Sequence, residues 1–208
     1  MDLLNIESID TIIQLITTLV CVIISITRAL KTRKKAWIML FFTAFIYFLG
    51  DLYWQIFVVV HGHVPYYSYI PYLSWYASYL FFILLLIEVR GEREKEKVSP
   101  VLYLVPVFTL GMAILYMQKE DYIGNIVCLI LMTVLIWQGV AGLLDKKEKN
   151  KKFIYIAVLA FCFEEYAMWT SSFFIAEESI RNPYYWADMA MSLTFLFMPL
   201  ALGKAVDE

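Results

Sequence analysis

The sequence predicts an all-α, polytopic integral membrane protein of seven transmembrane helices, with its N-terminus outside and its C-terminus in the cytoplasm. Three observations carry that expectation. Hydrophobic residues make up 62% of the 208 residues and charged residues only 17%, an excess that a water-exposed globule does not bury. The apolar residues fall into seven long stretches, each near the ~20 residues that cross a bilayer as a helix. The basic residues collect on alternate junctions between those stretches.

Charged or turn-forming residues separate the stretches, which run at 10–30, 36–60, 67–88, 99–117, 122–144, 153–175 and 183–203. Together they leave only short loops, so the expectation is one seven-helix domain over 1–208 with no attached soluble domain. The start, Met1-Asp2-Leu3-Leu4-Asn5-Ile6-Glu7, is acidic and has neither the basic region nor the small-residue cleavage site of a signal peptide. The first helix is therefore expected to be retained. The first junction carries Arg28, Lys31, Arg33, Lys34 and Lys35; the third Arg90, Arg93, Lys95 and Lys97; the fifth Lys146, Lys147, Lys149, Lys151 and Lys152. With Lys204, fifteen of the 17 Lys and Arg residues lie on one side, and only Lys119 and Arg181 on the other. The positive-inside rule makes the rich side cytoplasmic, so the N-terminus is expected outside and the C-terminus inside, with the cell membrane as the expected location.

Several features read as ordinary structure. The alternating charges of "EVRGEREKEK" at the third junction suit a solvated turn that extends a helix end. Cys21, Cys128 and Cys162 all lie within apolar stretches, are odd in number and lack metal-ligand spacing, so they read as packing residues. His61 and His63 in "HGHVP" have no third histidine to complete a metal site and suit an interfacial polar turn. No metal and no cofactor is expected: the glycines are isolated, and neither a phosphate-binding loop nor a Ser-His-Asp or Cys-His set occurs. A net charge of −2 offers no case for nucleic acid. A retinal protein needs a lysine within the last helix, where only Lys204 occurs, at its end.

An internal similarity links two halves. The stretch "FLGDLYWQIFVVVHGHVPYYSYIPYLSWYASYLFF" and the stretch "FCFEEYAMWTSSFFIAEESIRNPYYWADMAMSLTFLF" share an acid within the first helix and a tryptophan shortly after it. Each then has a Pro-Tyr-Tyr entrance to the next helix and a hydroxyl-aromatic-Leu-Phe run, Ser78-Tyr79-Leu80-Phe81 against Thr194-Phe195-Leu196-Phe197. Either aromatic-rich coincidence or duplication accounts for this. A duplication makes 10–90 and 122–204 parallel repeats joined by the helix at 99–117, the 3+1+3 layout found in some small transporters.

The acids inside the membrane point to a site. An ionised carboxylate at the bilayer centre costs at least ~2.5–3.5 kcal/mol on insertion scales, so it must be protonated, paired or turned to a polar cavity. Asp51, Glu164, Glu165 and Asp188 lie within the second, sixth and seventh stretches, which hold no internal Lys or Arg. Helical spacing puts Asp51, Trp54, Gln55 and Val58 on one stripe, Glu165, Trp169 and Ser172 on another, and Tyr185, Asp188 and Ser192 on a third. Trp75 and Ser78 extend the set from the third stretch. Carboxylates beside aromatic faces hold organic cations by charge pairing and by cation–π attraction of about 0.5–2 kcal/mol per ring, or receive an amphipathic molecule whose body rests on the rings. Most of Tyr66, Tyr67, Tyr69, Tyr72, Tyr184, Tyr185 and Trp186 read as an interfacial aromatic belt.

A more specific likeness lies in Gly50-Asp51, in Phe161-x-x-Glu164-Glu165 and in Phe173 downstream. In these the chain resembles the lysoplasmalogenase-like (YhhN-type) bacterial membrane proteins, which carry a Gly-Asp in an early helix and a Phe-x-x-Ser-Asp followed by a further Phe in a late one. That resemblance implies an intramembrane hydrolase cleaving the vinyl-ether bond of lysoplasmalogens, with Asp51 and Glu165 as the acid/base pair. Glu-Glu here replaces the family's Ser-Asp, Ser78 or a neighbour stands in place of its His, and seven helices replace eight.

Three functions follow as expectations. The first is a receptor, sensor or small transporter that binds a small organic cation or a lipid-like ligand in an outward-open pocket of Asp51, Trp54, Gln55, Trp75, Ser78, Glu164, Glu165, Trp169, Tyr185, Asp188 and Ser192. The second is the intramembrane hydrolase. The third is an accessory subunit whose acids are satisfied by a partner membrane protein or by a second copy of the chain. Membrane lipids are partners in every case.

Overall fold

The structure, a computed structural model, describes residues 6–63, 65, 69–91, 99–119, 121–145, 149–175 and 180–207. Outside the described residues lie Met1–Asn5, the belt tyrosines Tyr66 and Tyr67, most of the alternating charges of the third junction with Arg93, Lys95 and Lys97, and Lys146 and Lys147 of the fifth.

The described residues form helices and no strands. Seven α-helices follow the apolar stretches: α1 (Ile6–Thr32), α2 (Lys35–His61), α3 (Tyr69–Arg90), α4 (Leu104–Tyr116), α5 (Tyr122–Leu144), α6 (Lys152–Phe174) and α7 (Pro183–Val206). All but α4 are long and apolar enough to cross a membrane, the character of a multipass membrane protein. α4 is shorter; with the 3-10 turn Pro100–Tyr103 before it, the apolar helix spans 100–116. The first helix starts four residues before the stretch read from hydropathy, which carries Asp10 into the helix proper.

Local chemistry sets the ends. Arg33, at φ 56°, turns α1 into α2 within two residues. Gly62 (φ 73°) ends α2 in the left-handed conformation, its N–H donating to the Val58 carbonyl at 2.8 Å. Asp121 caps α5 by accepting from the Gly124 N–H at 3.0 Å, and Asn182 caps α7, just before Pro183, by accepting from the Tyr184 N–H at 3.0 Å.

Six helices pack in a ring in which α1 neighbours α2, α2 neighbours α3, α3 neighbours α5, α5 neighbours α6, α6 neighbours α7, and α7 closes back on α1. α4 lies outside this ring against α5. Because successive helices run antiparallel, the starts of α1, α3, α5 and α7 and the ends of α2, α4 and α6 share one end of the bundle. The α1–α2 turn and the tail of α7 meet at the other end, where Lys34 donates to Asp207 at 2.9 Å and to the Val206 carbonyl.

The faces are sorted as lipid solvent requires. α1 turns Ile12, Ile16, Ile23 and Leu30 outward, whereas its buried seam is largely polar: Asp10, Gln14, Thr18 and Ser25. Hydroxyls on that seam return to the helix's own backbone, as Thr18 does to the Gln14 carbonyl at 2.7 Å. The middle of the ring is filled by aromatic side chains. Phe161 of α6, fully buried, has ring centroids of Tyr47, Tyr79, Phe82 and Phe195 at 5.9, 5.8, 4.8 and 5.9 Å. This plug closes the bundle below the polar residues described next.

Candidate functional site

Above the aromatic plug, at the end where α1, α3 and α7 begin, a cavity of about 430 Å³ opens between five helices. α1 contributes Asp10, Thr11 and Gln14; α2 contributes Tyr47, Asp51 and Trp54; α3 contributes Tyr72 and Trp75. α6 and the residue after it contribute Glu165, Met168, Trp169, Ser172 and Ile175, and α7 with its cap contributes Asn182, Tyr184, Tyr185 and Asp188.

Three of the acids are held by donors from the scaffold. The Trp75 indole N–H donates to Asp51 Oδ1 at 3.0 Å. Gly50 makes this approach possible, because a Cβ there would lie 2.9 Å from Ser74 Cβ and 3.2 Å from Trp75 Nε1. Glycine at that position lets α3 close on α2 until its indole reaches the carboxylate. Glu165 is more fully satisfied: the Tyr47 hydroxyl donates to Oε1 at 3.1 Å and the Trp169 N–H to Oε2 at 3.1 Å. The Glu165–Trp169 pair is the i, i+4 relation read from the sequence, realised as a hydrogen bond within one helix. Gln14 Nε2 donates to Asp188 Oδ1 and lies 3.7 Å from the Met191 sulfur. Asp188 also hydrogen-bonds Asp10, a contact between two carboxyls that needs one proton between them.

The described residues lining the cavity thus place four acids, Asp10, Asp51, Glu165 and Asp188, beside no Lys, Arg or His. Beside the acids, and hydrogen-bonded to two of them, runs a chain of aromatic rings. Trp54 and Trp75 have centroids 6.4 Å apart, Trp75 and Tyr72 5.6 Å, and Tyr72 and Trp169 5.9 Å. Among the described residues no group of three or more His, Cys, Asp and Glu is placed to hold a metal ion, so the acids are spread along walls rather than gathered on a point. Anionic groups facing π-surfaces in a concave, mostly buried site attract an organic cation.

Of the residues read from the sequence, Asp51, Trp54, Trp75, Glu165, Trp169, Tyr185 and Asp188 meet in this cavity. Gln55, Ser78, Glu164 and Ser192 are not among its lining residues. Glu164, one residue and therefore about 100° round the helix from Glu165, turns to α7, where the Thr194 hydroxyl donates to its Oε1 at 2.8 Å. Ser78 and Ser192 are buried in the packing between helices.

Asp10, Gln14, Tyr47 and Tyr184 lie outside the residues picked from the sequence. A signal for the first two exists: Asp10, Gln14, Thr17, Cys21 and Ser25 recur at helical spacing on the first stretch, a polar seam that an unpaired lipid-facing helix does not carry. Tyr72 and Tyr184 were grouped with the interfacial belt; they line the cavity. No family model, no curated protein and no solved structure matches this chain.

Proposed function

We propose that the protein is a seven-span receptor, sensor or small transporter of the cell membrane that binds a small organic cation, or a cationic amphiphile, in this cavity. The observation that carries the reading is the union of four acidic residues and a chain of aromatic rings in one cavity whose described lining has no basic residue. Each ionised carboxylate in a membrane costs at least ~2.5–3.5 kcal/mol, and a cationic ligand offsets that cost with charge pairing inside a low-dielectric site.

In this reading α4, at 100–116, supplies the seventh span. The cavity faces outward, because it lies at the end of the bundle opposite Arg28, Lys34, Arg90 and Lys204, which the positive-inside rule places in the cytoplasm. The order of neighbours round the ring supports a parallel repeat. Exchanging α1, α2 and α3 with α5, α6 and α7 leaves that order unchanged, while α4 stands outside as the connector.

The test is thermal unfolding of the purified chain in detergent with alkylammonium, polyamine and lipid ligands. A ligand at a hundred times its Kd stabilises by about 2.7 kcal/mol, so a binder raises the wild-type midpoint by roughly 5 °C or more. Asp51→Asn and Glu165→Gln are expected to lose most of that increase. Equal shifts in wild type and variants for every ligand would refute the pocket.

A second reading has one observation in its favour: Asp51 and Glu165, the pair implied by the lysoplasmalogenase-like resemblance, line the same cavity. Two carboxyls in unlike environments can serve as general acid and general base. Here Asp51 has one tryptophan donor, while Glu165 has a tyrosine and a tryptophan. Incubation with a lysoplasmalogen is expected to release an aldehyde if this reading holds, and Asp51→Asn to stop it. Absence of aldehyde from a well-folded preparation removes it.

A further inference from the structure

The acids of the cavity differ in what holds them, and one contact among them needs a proton. Glu165 is met by neutral donors, the Tyr47 hydroxyl and the Trp169 indole, and Asp51 by the Trp75 indole. Asp188 of α7 instead meets a second acid. It accepts from the Gln14 amide of α1 and is hydrogen-bonded to Asp10, one turn before Gln14 on the same helix. Two carboxylates only repel, so this bond exists only while one proton lies between the pair. Asp10 and Asp188 are each 4% exposed and both line the cavity, so the proton is held beside the space that a ligand enters. The other titratable groups of the described lining are Asp51 and Tyr47 from α2, Tyr72 from α3, Glu165 from α6, and Tyr184 and Tyr185 from α7. All are acids or phenols, and none brings a positive charge to the pair.

We infer that the cavity exchanges a proton for a cation: the proton shared by Asp10 and Asp188 leaves when an organic cation enters, so the site holds one or the other. This deepens the cation-binding reading above and rests on it. Without a ligand, the shared proton keeps one of two touching carboxyls neutral in a site that penalises charge. A positive charge in the same cavity stabilises both carboxylates and repels the proton, which passes to water at the mouth of the cavity. One positive charge enters and one leaves, so the net charge of the buried site is unchanged. No ligand atom has to touch either carboxyl, because the attraction acts across a low-dielectric space. Occupation by a proton or a cation, but not by both, is what a proton-coupled exchanger of organic cations requires, and it favours the small transporter over the receptor.

The experiment uses the full chain in detergent and three cations that carry no titratable proton of their own: tetraethylammonium, N,N,N-trimethyl-2-phenylethylammonium and tetraphenylphosphonium. Titration calorimetry in buffers of different ionisation enthalpy counts the protons released for each cation bound. The expected count is about one, with a Kd that falls by up to about tenfold for each unit rise in pH while the free pair holds its proton. The sign follows from competition, since a more alkaline solution removes the proton that the cation has to displace. Asp10→Asn keeps an N–H donor beside Asp188 but holds no exchangeable proton. Its count is expected to be near zero, and its affinity to change by less than about twofold per pH unit. Should Asp10→Asn not fold, Asp188→Asn also leaves a single acid in the pair and carries the same expectation. Cation binding without proton release, or a release in the variant equal to that of wild type, overturns the exchange and leaves the cation-binding reading standing. If none of the three cations binds at millimolar concentration, both fall.

Discussion

Phe161→Ala is expected to destabilise the protein by about 2–5 kcal/mol. In water such a loss would be mainly the transfer of a phenyl group to solvent. In a bilayer the unfolded helices are already in an apolar solvent, so that contribution nearly cancels. What remains is packing: four ring contacts at 4.8–5.9 Å, made to helices α2, α3 and α7, and a void that fully buried neighbours are slow to fill. Phe163, two residues away and 74% exposed, is the matched control, because it faces lipid in both states. Phe163→Ala is expected to stay within about 0.5 kcal/mol of wild type. Unfolding in mixed detergent micelles titrated with dodecyl sulfate measures both, and equal losses would show that the aromatic plug does not hold the ring together.

Gly142→Ala is expected to cost about 1–3 kcal/mol although it adds a single methyl group. A Cβ at Gly142 would overlap the ring of Tyr155, which is 1% exposed within α6 and has nowhere to swing. Gly139, one turn before it, is similarly close, with a Cβ 2.9 Å from Leu159 Cδ2. The two glycines let α5 approach α6 closely, the small-residue contact that membrane helices use in place of hydrophobic attraction. Gly111 of α4 gives the opposite sign, since a Cβ there meets nothing within 4 Å. Gly111→Ala is expected to stabilise by about 0.5–1 kcal/mol through backbone entropy. The same detergent titration reads both variants, and destabilisation by Gly111→Ala would contradict the placement of α4 outside the ring.

The two variants together separate the site from its support. Gly142 and its neighbour Tyr155 lie away from the cavity, so Gly142→Ala should leave ligand selectivity unchanged in whatever fraction stays folded, whereas Phe161 packs on the cavity residue Tyr47 and its loss reaches the site. Asp51 and Trp75 behave differently, because Gly50 lets α3 approach so that its indole can orient the carboxylate. The proposed binding chemistry and helix packing meet at that contact.

The helices themselves were legible in the sequence for a direct reason. Lipid demands about 20 apolar residues per crossing, so the clusters of Lys and Arg and the turn-forming residues between the stretches mark the ends. The stripes legible from i, i+4 spacing also hold within a helix: Glu165 and Trp169 are hydrogen-bonded, and Asp51 and Trp54 face the same cavity. What helical spacing does not specify is how each helix is rotated against its neighbours. In a soluble bundle the apolar stripe answers that question; here only α1, with its polar seam, carries so clear a compass, and the other helices are more nearly apolar all round. Helical spacing sets Glu165 on a stripe with Trp169 and Ser172 but does not say which way that stripe turns; packing of α6 between α5 and α7 sends Glu164 to Thr194 and Glu165 into the cavity. The same packing brings Asp10 and Gln14 of the first helix to Asp188 of the last, across 174 residues in the case of Gln14. The sequence by itself thus determined the helical, membrane-embedded character, the sorting of charge between junctions and the presence of costly buried acids. Only the tertiary structure decided which acids share a cavity and which donors hold them, because those depend on the close approach of α2 and α3 at Gly50 and on the ring that α1 and α7 close.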